Sequence, residues 1–411
     1  MSKAAAAPLV FASTQLAPGE FARRRNEARR RGSPAWLWPE VPVERWTRAM
    51  RHISKAAADI FAGQPAHLPG GDLMALSLAG YTSGVGPLLG WWFENGLLTA
   101  PAESGQLLQL HLKHARERAT YTDAQSGRIV ACLSDGGASP IVLKGGYTAH
   151  RYFPEPATRP ASDLDLLVRP DRQKEAEAAL AQAGLECVSR GRRESTWTPA
   201  GSAREPRSLW LVRADDPWSV DLHHSLDLSA GPGAPALRLD AAEPFDEGAG
   251  ALRRPLLLLH LAVHASGGLH SLTLLRMIEI ILVVRRDFGD DPAAWEEFTA
   301  TAIRANGFGI SFPALLMCER LAPGTIPRPV LGASAKLAPR RAKAIVEDLH
   351  PATAQRVDRD SVAEHFMWVS GLRALLRQLR SDIAPHRGSA QSIWSIYEAR
   401  VNRLLHGRVT R

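Results

Sequence analysis

An α+β fold follows from three patterns in the sequence. Apolar residues recur at helical spacing over residues 46–135 and again over 251–385. Between them, residues 136–230 hold short strand-like runs bounded by Gly and Pro. One of these, Ser162-Asp163-Leu164-Asp165-Leu166-Leu167-Val168, carries two carboxylates two residues apart and then turns wholly apolar. A strand-rich core flanked by N- and C-terminal helical regions accommodates all three, and 411 residues are enough to build it.

Composition narrows the class. The chain is 45% hydrophobic and 22% charged, which permits a sizeable core. Its net charge of +8 suits anionic partners, nucleotides or nucleic acid, without choosing between them. Cys132, Cys187 and Cys318 are too scattered for a disulfide framework or a zinc site, so a reduced, cytoplasmic setting is expected. No uninterrupted apolar run reaches the ~18 residues of a membrane helix. The best, Leu272 to Val284, carries Arg276 and Glu279. The basic cluster follows the weakly apolar start instead of preceding it, so no signal peptide is read and no membrane partner is expected.

Taken in order, residues 1–45 read as a basic arm that need not be ordered, with Arg23-Arg24-Arg25 and Arg29-Arg30-Arg31 on an exposed or frayed helix. Trp36 and Trp38 are placed to pin it to the body. Residues 46–135 form the N-terminal helical region. Its last helix spans about 106–133 and stops at Asp135-Gly136-Gly137, and Trp91 and Trp92 read as core.

The core, 136–230, opens with a strand from Pro140 to Leu143 and a helix over about 146–153. A second strand follows from Leu164 to Val168. Pro170-Asp171 starts a helix that Gly184 stops. A third strand is expected near Leu185 to Val188, then an Arg-rich loop or excursion over 189–206. Two more strands are expected at Ser208 to Val212 and Ser219 to His223. Residues 231–250 read as a linker or long loop, 251–385 as the C-terminal helical region interrupted by a Pro-rich stretch at 326–340, and 386–411 as a basic tail.

The chemistry concentrates on one strand. A side-chain period of two puts Asp163 and Asp165 on one face and Leu164, Leu166 and Val168 on the other. Two carboxylates that close repel unless a cation lies between them, and hard divalent ions prefer carboxylate oxygens. Gly145 and Gly146 let backbone approach a bulky anion, and the helix behind them offers amide groups to phosphate. A two-metal transfer site needs a third carboxylate from a neighbouring strand. Asp221, in Trp218-Ser-Val-Asp-Leu-His-His, is the choice. Asp215, Asp216 and Asp227 are rivals nearer turns. His223 shares the face of Asp221 and is read either as a substrate contact or as packing, whereas His224 points away. His260 and His264 have the spacing of two zinc ligands on a helix. Leu261 stands where a metalloprotease needs Glu, so this pair is read as helix packing or as a polar contact toward the cleft.

At this point the chain resembles the nucleotidyltransferase superfamily of polymerase-beta-like fold, and within it the bacterial uncharacterised nucleotidyltransferases. Leu143-Lys144-Gly145-Gly146, Tyr152, Arg159, Ser162-Asp163-Leu-Asp165-Leu-Leu-Val168, Asp221-Leu-His223 and Leu259-His260-Leu-Ala-Val-His264 carry the resemblance, over about residues 75–320. The superfamily's usual Gly-Ser is Gly145-Gly146 here, preceded by a lysine. The resemblance implies a small mixed sheet and a magnesium-dependent transfer of a nucleoside monophosphate from an NTP, ATP first among them. It implies two Mg2+ ions held by Asp163, Asp165 and Asp221. It also implies phosphate or nucleotide contacts from Lys144, Gly145, Gly146, Arg159 and Ser162.

The acceptor is left open among a small molecule, a peptide and a protein. Nucleic acid is permitted by charge but not favoured, because no stretch interleaves aromatic and basic residues. The alternatives are a non-catalytic nucleotide- or peptide-binding accessory protein and a phosphotransferase on the same carboxylates.

Overall fold

A computed structural model describes residues 15–383 apart from 192, 203–204, 228–235, 243–249, 269–271, 356–365 and 370. The basic tail at 386–411, the first 14 residues of the arm and most of the expected linker lie outside the described residues. The fold is α+β.

The N-terminal part is helical: α1 Glu20–Arg31, α2 Val43–Phe61, α3 Leu73–Ser83, α4 Gly86–Glu94 and the long α5 Ala102–Asp135. Two short strands, β1 Ala66–His67 and β2 Leu98–Thr99, pair in parallel among them. Asp72 starts α3 by accepting from the Ala75 amide at 3.1 Å. Gly137, left-handed at φ +77°, follows α5 where the Asp-Gly-Gly signal places its stop. The arm is tied down where α1 leads into the body: the Trp38 indole N–H donates to the Leu209 carbonyl at 2.7 Å.

The core follows as β3 Ile141–Val142, α6 Lys144–Tyr152, β4 Asp163–Leu167, α7 Gln173–Gln182, β5 Leu185–Arg190, β6 Glu194–Pro199 and β7 Ser219–His223. The five strands form one mixed sheet in the order β3-β4-β7-β6-β5. Only β4 and β7 run parallel.

Two expectations fail here. The Arg-rich stretch 189–206 is not all loop, because it contains β6. Its outward residues Glu194, Thr196 and Thr198 are polar, and the alternating Ser195 and Trp197 face the interior. Ser208 to Val212 is not a strand. The Ser208 hydroxyl accepts from the amides of Trp210 and Leu211, which bends the backbone, and Leu209 to Leu211 plug the core instead.

The C-terminal part holds α8 Arg254–Ser266, α9 Leu274–Asp287, α10 Pro292–Arg304, α11 Phe308–Leu321, α12 Arg328–Leu337, α13 Arg340–Glu347, α14 Pro351–Ala354 and α15 Leu372–Ile383. The Pro-rich stretch is therefore partly helical. Pro329 sits in the first turn of α12, where a missing N–H costs nothing.

Two apolar cores result. The smaller lies under one face of the sheet, with Leu164, Leu166, Val220, Leu222 and Trp197 packed on Ile129 and Leu133 of α5 and Ala176 and Leu180 of α7. The larger joins both helical flanks, from Met50 and Leu89 to Ile278 and Phe298, and takes Ile141, Leu143 and Leu167 from the core. Among the described residues no single helix is long and apolar enough to cross a membrane. The pair α3–α4 has the composition but turns through 111°, and most of its residues are buried in the larger core.

Candidate active site

The face of the sheet opposite the smaller core carries the polar residues, and strand register brings them together. Asp163 and Asp165 share a face of β4. The parallel pairing sets Asp165 beside Asp221, and Leu167 beside His223. On the other side of β7, Thr196 lies across from Asp221 and Glu194 across from His223. Oxygens from Asp163, Asp165 and Asp221 all lie within 4.8 Å of one another.

These side chains form the floor of a cavity of about 590 Å3. Lys144 and Arg159 enter from the core. His260 and His264 come from α8, and Arg276 and Glu279 from α9.

Three carboxylates this close require counter-charge. Asp165, the most buried of them, has two partners. The Lys144 ammonium donates to its Oδ1 at 2.8 Å, and His223 Nε2 donates to the same oxygen at 3.1 Å. Burial alone would raise the Asp165 pKa, but those two hydrogen bonds overcome it and hold the carboxyl ionised, well below the usual range. Asp163 moves the other way, raised by burial and by the charge of Asp165. Burial also raises Asp221.

His223 is clamped at both ends, since its Nδ1 lies 3.1 Å from Glu194 Oε2. Burial opposes its charge, yet the bonds to Asp165 and Glu194 raise its pKa and keep it an imidazolium. The sequence gives no sign of Glu194, because the pattern of its strand is that of a loop.

The cluster fits a divalent ion. Asp221 Oδ1 is buried and has no hydrogen-bond partner. An orphaned acceptor of this kind costs about 1–3 kcal/mol unless something binds it. The donor set is entirely oxygen, the preference of magnesium and related hard cations.

Arg159 does not reach the carboxylate floor. Its guanidinium makes a bidentate pair with Glu279, Nε to Oε1 at 3.0 Å and Nη2 to Oε2 at 3.2 Å. The Thr148 hydroxyl donates to the same Oε1. Glu279 is buried, and its charge and hydrogen bonds keep Arg159 protonated against the penalty of burial. Glu279 and Arg276 both belong to the apolar run of α9. In the sequence their charges argue against a membrane span, and nothing there shows that they face a cleft.

Gly145 and Gly146 lie in the first turn of α6 and are absent from the cavity lining. A Cβ on Gly145 would stand 2.1 Å from Arg159 Nη1, and one on Gly146 would stand 2.9 Å from a Val142 methyl. The pair admits a buried guanidinium and seats the helix on the sheet. Lys144, by contrast, is a non-glycine residue at φ +38°. Ser162 lines the cavity beside Asp163, 3.5 Å from its Oδ1.

Fold and site together define an α+β protein with a three-carboxylate cleft between its sheet and its C-terminal helices. The model of a family described as uncharacterised nucleotidyltransferases matches residues 93–323, more than half of the chain, and the chain belongs to that family. No curated protein and no solved structure matches it.

Proposed function

We propose that the chain transfers a nucleoside monophosphate from a magnesium-bound NTP, with ATP the first candidate, to a small-molecule, peptide or protein acceptor. One observation carries this reading: three carboxylates on adjacent parallel strands, one with a buried and unbonded oxygen, inside a family of nucleotidyltransferases. Asp163, Asp165 and Asp221 would hold two Mg2+ ions, which supply charge to the triphosphate and activate the acceptor.

The chain's own residues set the rest. Glu194 orients His223, and His223 fixes Asp165 in one rotamer. Lys144, already in the cleft, can turn from Asp165 to a phosphate once Asp165 has another cation. Arg159 acts through Glu279 by holding α9 against α6, and Gly145 admits it. Ser162, beside Asp163 in the cavity lining, would contact the phosphates.

Calorimetric titration of ATP, CTP, GTP and UTP, with and without magnesium, tests the reading on wild type and on an Asp163→Ala/Asp165→Ala double variant. Magnesium-dependent binding that the double variant loses supports it, and no binding to folded wild type sinks it. Transfer of label from α-labelled nucleotide marks nucleotidyl transfer, while transfer from γ-labelled nucleotide would make the protein a phosphotransferase.

A further inference from the structure

The cavity contains a second kind of orphan. His260 stands in its wall, 2% exposed, and neither ring nitrogen has a hydrogen-bond partner or contact with solvent. A histidine placed only for helix packing commonly bonds a backbone carbonyl through one nitrogen, and this one does not. His264 follows one turn later on α8 and lines the same cavity. Its ring is parallel to that of His260, with an interplanar angle of 10° and centroids 6.3 Å apart.

Both rings are uncharged. Burial pushes His260 down to about 3 and His264 further still. A neutral imidazole offers one donor and one acceptor, a pair that an uncharged polar group can satisfy in full and a phosphate, which only accepts, satisfies by half. The triphosphate belongs at the acidic floor with its cations and Lys144. The uncharged half of the nucleotide must lie elsewhere in the same cavity, whose volume of about 590 Å3 lies within the range of small-molecule sites.

We propose that His260 and His264 form the nucleoside subsite: the flat base lies against the His264 ring, and the His260 ring, whose nitrogens are closed off in this structure, turns one of them to a hydrogen-bonding group of the base or ribose. The inference rests on the nucleotidyl-transfer reading and adds to it the residues that distinguish a nucleotide from a bare polyphosphate.

The test compares calorimetric affinities for ATP, 2′-deoxy-ATP and inorganic tripolyphosphate, all with magnesium, on the full chain. His260→Phe keeps an aromatic ring and removes both nitrogens. It should weaken ATP about tenfold or more, the scale of one lost hydrogen bond in a closed site, and leave tripolyphosphate unchanged. His260→Asn, which keeps a donor and an acceptor, should recover part of the loss. His264→Leu should weaken ATP and again spare tripolyphosphate, and it carries the same test should His260→Phe fail to fold.

Wild-type preference for ATP over 2′-deoxy-ATP that His260→Phe abolishes places the contact on the ribose. Equal binding of the two, with ATP still weakened in His260→Phe, places it on the base. Both support the subsite. Equal losses of ATP and tripolyphosphate, or no loss of either, would overturn it. Wild type that binds tripolyphosphate but prefers no nucleotide rejects the subsite and leaves the metal site standing, whereas wild type that binds neither rejects the transferase reading as well.

Discussion

Arg159 and Glu279 show how a side chain can be essential to the cleft without touching its chemistry. Glu279 is buried and the Arg159 side chain is 12% exposed, and each satisfies the other's charge. Removing one partner strands a buried charge, at about 3–5 kcal/mol, whereas replacing both with apolar residues is close to neutral. Glu279→Ala should therefore lower the melting temperature far more than Arg159→Met/Glu279→Leu does, as thermal denaturation would show. Equal losses would mean that the pair is not the source of the effect. Gly145→Ala should act on the same contact, because its methyl would occupy the place of the guanidinium. A cost of about 1–3 kcal/mol is expected for such overpacking, and an Arg159→Ala background should remove most of it. Lys144 holds a backbone conformation that costs a non-glycine residue about 1–3 kcal/mol, and it puts its ammonium on Asp165. The Lys144→Gly variant removes that strain but strips Asp165 of a counter-charge, so its melting temperature should fall without magnesium and recover when magnesium is added. An equal fall with and without magnesium would show the lysine to be structural.

At the scale of elements, the site is a product of register. Asp163 and Asp165 could be paired from the sequence because strand periodicity is two and their apolar neighbours supply the other face. Asp221 lies 56 residues further on, where no sequence periodicity links it to Asp165, and the parallel ladder of β4 and β7 sets the two side by side. What stayed illegible follows from the same physics. The strand β6 is polar on its cleft face and has only Ser195 and Trp197 inside, so its pattern reads as loop, and Glu194 went unseen with it. Glu279 lies in an apolar helical run, where sequence spacing cannot tell a buried ion pair from an interruption. The Gly pair resembles a phosphate cradle in sequence because the same absence of a Cβ serves a buried guanidinium equally well.

The long helix α5 carries its own test. His111 is buried against Gly86, with Ser77 Oγ 3.3 Å from its Nε2, and burial pushes its pKa down to about 3. In the unfolded chain it titrates near 6.5, so between those values the unfolded state binds the proton that the folded state refuses. Stability should fall as the pH drops below about 6.5 and continue to fall toward the folded-state value. His111→Gln should flatten that decline between pH 7.5 and 5 in thermal melts. An unchanged slope would assign the acid sensitivity to other groups.

For the whole molecule, the sheet supplies the carboxylates but cannot stand without the helices. Its inner face is covered by α5 and α7, while Ile141, Leu143 and Leu167 belong to the larger core that both helical flanks build. The cleft has the same dual origin, with a floor from the sheet and a wall from α8 and α9. Binding a nucleotide between them would join parts that are distant in sequence, and ligand that binds only the folded state adds to its stability. The chain should accordingly unfold in one calorimetric transition. Magnesium and ATP together should raise its midpoint, and Asp163→Ala/Asp165→Ala should abolish that rise. A fragment confined to residues 136–230 would expose the apolar side chains that the flanks cover, and it should show no cooperative transition. Two resolved transitions in the full chain, or a cooperatively folded fragment, would show that the core and its flanks are separable units, and the cleft would then be an interface between domains instead of a feature of one fold.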